Sequence, residues 1–199
     1  MSRAVYLVAL CVFPSVIATA QSDSSASGPS WFLTIQSGTL FGKKASTNLP
    51  GSGFDIGSGA SVIQGIVYNR FRLGAGVGYD AYAEWRMLPI FAGTSYDLMK
   101  RRNHSFYIQA NTGYSRAWSK PMDEAQPDYS EAGGFFHHSF MGYKVQQGKV
   151  ELHFTAGYKF QRLIYSPAAN SWIWGYPGYQ TTTVQRDMGR MSVQMGIGF

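Results

Sequence analysis

The sequence almost lacks cysteine. Cys11 is the one thiol in 199 residues, and it falls in an N-terminal apolar stretch that reads as removable. A mature chain without it can hold no disulfide, no thiolate metal site and no cysteine nucleophile. Charge is also scarce. Asp, Glu, Lys and Arg make up 14% of the chain, against about 25% in ordinary soluble domains. A long apolar run is missing as well: beyond the N-terminus no stretch approaches 18 residues, the length at which a membrane helix becomes a candidate. Together these absences exclude a disulfide scaffold and a helical membrane protein, and they argue against a conventional soluble domain.

The N-terminus sets the compartment. Arg3 supplies a positive start, Ala4 to Ile17 is apolar, and Ala18-Thr19-Ala20 places small residues before Gln21. That order is the pattern of a secretory signal peptide cleaved after Ala20. Pro14 and the shortness of the run count against a membrane anchor, and Cys11 is too deep in the apolar core to be a lipoprotein cysteine. Cleavage would leave 179 residues carrying 16 basic and 11 acidic side chains. That is enough chain for one domain.

Aromatics, at 16%, and 23 glycines take the place of charge. After a polar Ser/Gly/Pro linker, Gln21–Pro29, the chain alternates apolar and polar residues with period two. This is the signature of strands with one face against something apolar. Eight strands are predicted, over residues 31–41, 57–68, 71–79, 87–99, 105–117, 135–146, 149–163 and 184–199. The connections sort by parity. Those at Asn69-Arg70, Lys100–His104 and Gln147-Gly148 are short. Those at Gly42–Ile56, Asp80–Arg86, Trp118–Gly134 and Ile164–Thr183 are long. Short periplasmic turns and long extracellular loops are what a transmembrane β-barrel gives. A closed barrel is also the one strand structure that leaves no backbone group unpaired in lipid. The expected fold is thus an all-β, eight-stranded antiparallel up-and-down transmembrane barrel over residues 30–199, in the outer membrane, with both termini periplasmic.

In the last strand Met191, Val193, Met195, Ile197 and the terminal Phe199 share one face. Apolar alternate positions ending in a terminal aromatic, here Met195, Ile197 and Phe199, resemble the signal read by the outer-membrane barrel-assembly machinery. Gly59–Phe71, the run Leu73-Gly-Ala-Gly-Val-Gly-Tyr79 and Leu88-Pro-Ile-Phe-Ala92 are similar to the outer membrane protein β-barrel family common in Bacteroidota. The small OmpA/OmpX-type barrels share that architecture. The resemblance covers nearly all of the mature chain and implies a fold, not an activity.

If the apolar set faces lipid, the lumen receives Arg72, Gly74, Gly76, Gly78, Asp97, Gln109, Asn111, Lys144, Glu151, His153, Lys159, Arg190 and Gln194. Arg72, Asp97, Lys144 and Glu151 fall near periplasmic strand ends and read as an ion-paired cluster. Eight strands leave a lumen just filled by side chains, so no general diffusion pore is expected. Static filler and an ion-pair gate both fit that cluster. Arg116 and Arg162, outward and near extracellular strand ends, suit lipopolysaccharide phosphates, and equally suit snorkelling of a long cationic chain. Trp31, Tyr79, Tyr82, Trp85, Trp118 and Tyr165 read as interfacial girdle.

Catalytic and ligand motifs are few. The glycines of Gly74-Ala-Gly-Val-Gly78 alternate within a strand, whereas a phosphate-cradling loop must turn into a helix. His137 and Ser139 share a face, with Glu151 following. This resembles lipid A deacylases, which set a His base and a Ser nucleophile beside an acid. Against it, Glu151 belongs at the opposite end of the barrel, and Phe140 stands where the deacylase Asn would. The adjacent His137 and His138 point to opposite sides, so no metal or cofactor is expected. Asp123, Glu124, Asp128 and Glu131 make the third loop acidic, as a cation site or simply as solvated chain. Trp172, Trp174, Tyr176 and Tyr179 give the fourth loop a candidate contact surface. The basic Lys100-Arg101-Arg102 turn suits phospholipid phosphates, and no nucleic-acid partner is implied. The expected function is non-enzymatic: a structural or accessory outer-membrane protein with lipid, lipopolysaccharide, the assembly machinery and a possible envelope-complex protein as partners. A narrow channel or small-solute transporter is the alternative, and a lipid A-modifying enzyme stands third.

Overall fold

The structure is a computed structural model, which describes residues 29–43, 54–83, 85–119, 130–166, 168–173, 176–181 and 183–199. The signal peptide expected over residues 1–20, and the linker apart from Pro29, lie outside the described residues. Among the described residues ten strands follow one another: β1 Ser30–Lys43, β2 Phe54–Tyr68, β3 Phe71–Ala81, β4 Trp85–Arg101, β5 His104–Ser119, β6 Ser130–Gln147, β7 Val150–Ser166, β8 Ala168–Ile173, β9 Tyr176–Thr181 and β10 Val184–Gly198. Eight of them close a barrel in the order β1-β10-β7-β6-β5-β4-β3-β2, all antiparallel; β8 and β9 pair as a separate hairpin. The expected architecture is correct, and the strands extend beyond their predicted bounds mainly at the end carrying the long loops.

Sequence neighbours pair all the way round, and closure comes from β1 against β10, in register from Thr34↔Gly198 to Gly42↔Arg190. Phe199 completes that seam by exchanging backbone hydrogen bonds with Leu33, at 3.1 and 2.9 Å. At one end the strands are joined by Asn69-Arg70, Arg102-Asn103 and Gly148-Lys149. Asn69, Arg102 and Gly148 each adopt positive φ, at 55°, 48° and 64°, the backbone that lets a tight hairpin follow the right-handed twist of its strands. This is the turn end, and the opposite end is the loop end. The β3–β4 ladder lapses between Val77↔Ile90 and Asp80↔Met87, where Pro89 has no N–H to donate.

Alternation is nearly perfect. In β4 the odd residues from Trp85 to Asp97 are buried and the even ones down to Thr94 exposed. The outer wall carries Ile35, Val77, Ile90, Ile108, Phe154 and Val193, among other exposed large apolar residues. Inside, Gln36, Asn111, His138, Lys159 and Arg190 are almost wholly buried. The molecule is therefore inverted relative to a water-soluble protein: polar within, apolar without. Gln64, which fits neither face by pattern, stands on the outward row of β2, because its neighbour Ile63 is the inward residue at 3% exposure.

Three girdle expectations are corrected. Tyr82, Trp85 and Tyr165 do not face outward. They are 4%, 6% and 6% exposed and pack with Leu40, Met87, Ala117, Leu163 and Met188 in an apolar cluster inside the loop end. The strand parity that makes Met87 inward also turns Trp85 inward, and Trp85 meets Tyr165 with ring centroids 5.1 Å apart. Trp31, Tyr79 and Trp118 do face outward, and Tyr79 lies against Trp118 at 6.3 Å.

Candidate functional site

The interior is built in layers. Nearest the turn end, Arg72 of β3 donates through both terminal nitrogens to Glu151 of β7, each contact 2.8 Å. Beside it Lys144 of β6 donates to Asp97 of β4 at 2.8 Å. The structure thus brings the four expected cluster residues together as two pairs. His153 lies 3.3 Å from Glu151 and shares a hydrogen bond with Tyr107, 3.0 Å from its Nδ1. Arg72 and Lys144 also stand over the rings of Phe32 and Tyr107. The two positive and two negative charges of this layer balance.

A second charged layer, towards the loop end, is absent from the sequence reading. Lys159 donates to Asp80 at 2.7 Å, and Gln161 donates to the other oxygen of the same carboxylate at 2.8 Å. Arg190 donates to Asp55 at 2.7 Å and lies 4.5 Å over the Tyr82 ring. Tyr82 in turn hydrogen-bonds Gln161. The strand pattern sets Lys159 and Arg190 inward, while the predicted bounds leave Asp55 and Asp80 in the loops Gly42–Ile56 and Asp80–Arg86. The longer strands bring them in: Asp80 continues the inward row of Arg72, Gly74, Gly76 and Gly78. This layer is also neutral, as unpaired buried charges would be costly.

Between the charged layers sit Ile63, Phe91 and Phe136, with Phe32 packed against them, and Phe91 meets Phe136 at 5.4 Å. His138, sharing a hydrogen bond of 2.8 Å with Ser192, is on the inward face nearby. Glycines opposite bulky residues make the room: a side chain at Gly142 would lie 2.3 Å from the Tyr107 ring, and one at Gly59 would lie 2.7 Å from Asp80. A void of about 10 Å³ lined by Gln36, Arg72, Tyr107, Lys144 and His153 is no larger than a single water requires.

On the outer wall Arg162 is held by Asp187 through two hydrogen bonds, 2.8 and 3.0 Å, so its charge is already matched. Arg116 is outward on β5, with Arg86 also outward on the adjacent strand, one step along the row. Met195, Ile197 and Phe199 all point outward. Trp172, Tyr176 and Tyr179 fall on the strands of the β8–β9 hairpin. Trp174, Asp123, Glu124 and Asp128 lie outside the described residues, and Glu131 is in β6.

The outer wall also carries a polar chain. His137 is outward on β6, directly across from Thr112 of β5. Thr112 Oγ1 lies 2.9 Å from His137 Nδ1, and His137 Nε2 lies 2.6 Å from Ser139 Oγ. Glu151, considered as the acid for this pair, is inside the barrel on Arg72 and does not reach it. Thr112 was not foreseen: the long connection between β5 and β6 leaves their register unreadable from sequence. Among the described residues no group of three or more His, Cys, Asp or Glu side chains could hold a metal ion.

No family model matches the sequence, and no curated protein matches it. Solved structures do. Neisserial surface protein A, a crystal structure, is 16% identical with a TM-score of 0.56, covering 86% of this chain and 97% of its own. Outer membrane protein AlkL, solved by solid-state NMR in lipid bilayers, is 12% identical with a TM-score of 0.47, covering 90% of this chain and 94% of its own. At these identities the likeness to Neisserial surface protein A is one of fold: a closed eight-stranded antiparallel barrel.

Proposed function

We propose that the protein is an integral outer-membrane barrel that conducts no solute and acts through its outer wall and loops, as a structural or accessory component of the envelope. The observation that carries this reading is the lumen. Two neutral layers of buried ion pairs, an apolar collar and an apolar cluster at the loop end occupy it in series. A channel would require every one of these layers to part, and each broken pair would leave a charge in a low-dielectric interior. The apolar outer wall supports a place in lipid, where only closed barrels and helices leave no backbone unsatisfied. Short turns at one end and long connections at the other support periplasmic termini. The finer kinship with the Bacteroidota-type family rests on the glycine and aromatic runs of β2 to β4 alone. Arg116 with Arg86 is the stronger candidate for lipopolysaccharide phosphate, because Arg162 is occupied by Asp187. The outward row Met195, Ile197 and Phe199 fits delivery by the assembly machinery, and the aromatic fourth loop fits contact with an envelope protein.

Planar-bilayer recording of the purified barrel tests the sealed lumen. No unitary steps are expected at moderate voltage, and reproducible ion conductance by the folded protein would overturn the proposal. Mild-detergent extraction of the tagged protein, with sizing and mass spectrometry, tests the accessory role, for which a stoichiometric envelope partner is expected.

A further inference from the structure

A lipid-facing wall has no reason to carry three polar side chains in a row, yet Thr112, His137 and Ser139 do, and they are connected. The threonine hydroxyl 2.9 Å from His137 Nδ1 can accept Nδ1–H. In that tautomer Nε2 carries no proton and lies 2.6 Å from Ser139 Oγ, within reach of its hydroxyl proton. Nucleophile, base and orienting group thus stand in the relation that activates a hydroxyl. What surrounds Ser139 is equally specific. An open groove of about 560 Å³ runs along the outer wall beside it. Ala110 and Ala156 leave its floor low, while Tyr96, Ile108, Met141 and Tyr158 are among the larger residues lining it. The groove occupies the row containing Ser139 and the next one towards the turn end. In the other direction is charge. Arg162 and Asp187 pair on the wall four residues along β7 from Tyr158, which faces Ser139. At strand rise and barrel tilt that is about 13 Å along the strand and about 10 Å in height. Polar head level, reactive hydroxyl and apolar groove therefore follow one another down the wall, the order of groups in an acyl-ester lipid.

We propose that Ser139 is a nucleophile for acyl-ester lipids, with His137 its general base and Thr112 the positioning residue that sets the ring. This exceeds the non-enzymatic expectation and does not depend on whether the lumen conducts. Ser139 Oγ attacks the ester carbonyl carbon while His137 Nε2 takes its proton. The carbonyl–alkoxy bond breaks, and His137 returns the proton to the departing alcohol. Water, deprotonated by the same nitrogen, then attacks the acyl-serine, releasing a free fatty acid and restoring the serine hydroxyl. A threonine carries no charge to stabilise the imidazolium that forms, so turnover is slow compared with sites built on a carboxylate.

The competing account is that the three side chains merely satisfy one another's hydrogen bonds in lipid. The experiment separates the two. The full-length barrel, folded in phosphatidylethanolamine vesicles or in vesicles containing lipopolysaccharide, is treated with a fluorophosphonate probe, and fatty-acid release is followed in parallel. A single adduct on Ser139 is expected, lost in Ser139→Ala and formed at least tenfold more slowly in His137→Asn. Thr112→Val should also slow labelling about tenfold, with Thr112→Ser restoring it, which a purely structural threonine would not require. Release from one vesicle type and not the other identifies the lipid source. If the folded barrel acquires no adduct at Ser139, or labels it and frees fatty acid in neither vesicle, the proposal fails.

Discussion

At the scale of single residues, the interior is governed by the cost of an unpaired charge. Lys144 and Asp97 have side chains only 6% and 7% exposed, 2.8 Å apart. Lys144→Met should lower barrel stability by about 3–5 kcal/mol, because the Asp97 carboxylate loses its partner where water cannot replace it. Lys144→Met with Asp97→Leu should recover most of that loss, since an apolar pair of similar volume is often as stable as a buried ion pair. Equilibrium urea unfolding in detergent micelles measures both; equal destabilisation in the single and double variants would show that packing, not charge, dominates. The residues of this pair were legible from the sequence, because charge on the inward parity of a strand has few destinations. Asp80 and Asp55 were not. Both lie beyond the periodic core of their strands, where a boundary error of a few residues converts an inward acid into a loop acid.

The same uncertainty acts on whole elements at the loop end. Alternation tells two faces apart but does not say which residue types belong on which. An apolar set assigned to lipid mislabels any apolar cluster that closes the lumen, and Trp85 and Tyr165 belong to such a cluster. In the structure Trp85 and Trp118 sit at the same loop end of the β4–β5 ladder in consecutive registers, Trp118 facing Arg86 and Trp85 facing Ser119, yet they differ in exposure, 6% against 40%. Variants retaining Trp85 or Trp118 alone should respond oppositely to brominated lipid. Fluorescence from Trp118 should be strongly quenched in vesicles and that from Trp85 nearly unaffected. Equal quenching would mean that β4 carries its loop-end residues on the other parity. The turns are simpler. Gly148 holds φ at 64°, so Gly148→Ala should cost about 1 kcal/mol in the same urea assay. A neutral result would show that the β6–β7 turn relaxes to another geometry.

For the molecule as a whole, closure is the event on which everything else rests. Seven of the eight barrel contacts join strands adjacent in the barrel's chain order, and each can form as a hairpin or, from β7 to β10, across the inserted β8–β9 hairpin. The eighth joins β10 to β1, from opposite ends of the chain, and without it two strand edges would face lipid with their backbone groups unpaired. Phe199 contributes to that seam through its backbone, exchanging hydrogen bonds with Leu33, while its ring points outward at 56% exposure. The ring therefore contributes little to the closed barrel that a smaller residue would not. Any strong requirement for it belongs to delivery rather than to stability. Phe199→Ala should refold in micelles to the same heat-modifiable species as the natural chain, with urea midpoints agreeing within error. In cells its yield in the outer membrane should fall several-fold. Deletion of Phe199 removes the backbone bonds as well, so it should lower stability in micelles in addition to yield. Full outer-membrane yield for Phe199→Ala would show that the terminal aromatic is not read as a signal. Loss of refolding in micelles would instead place its importance in the barrel itself.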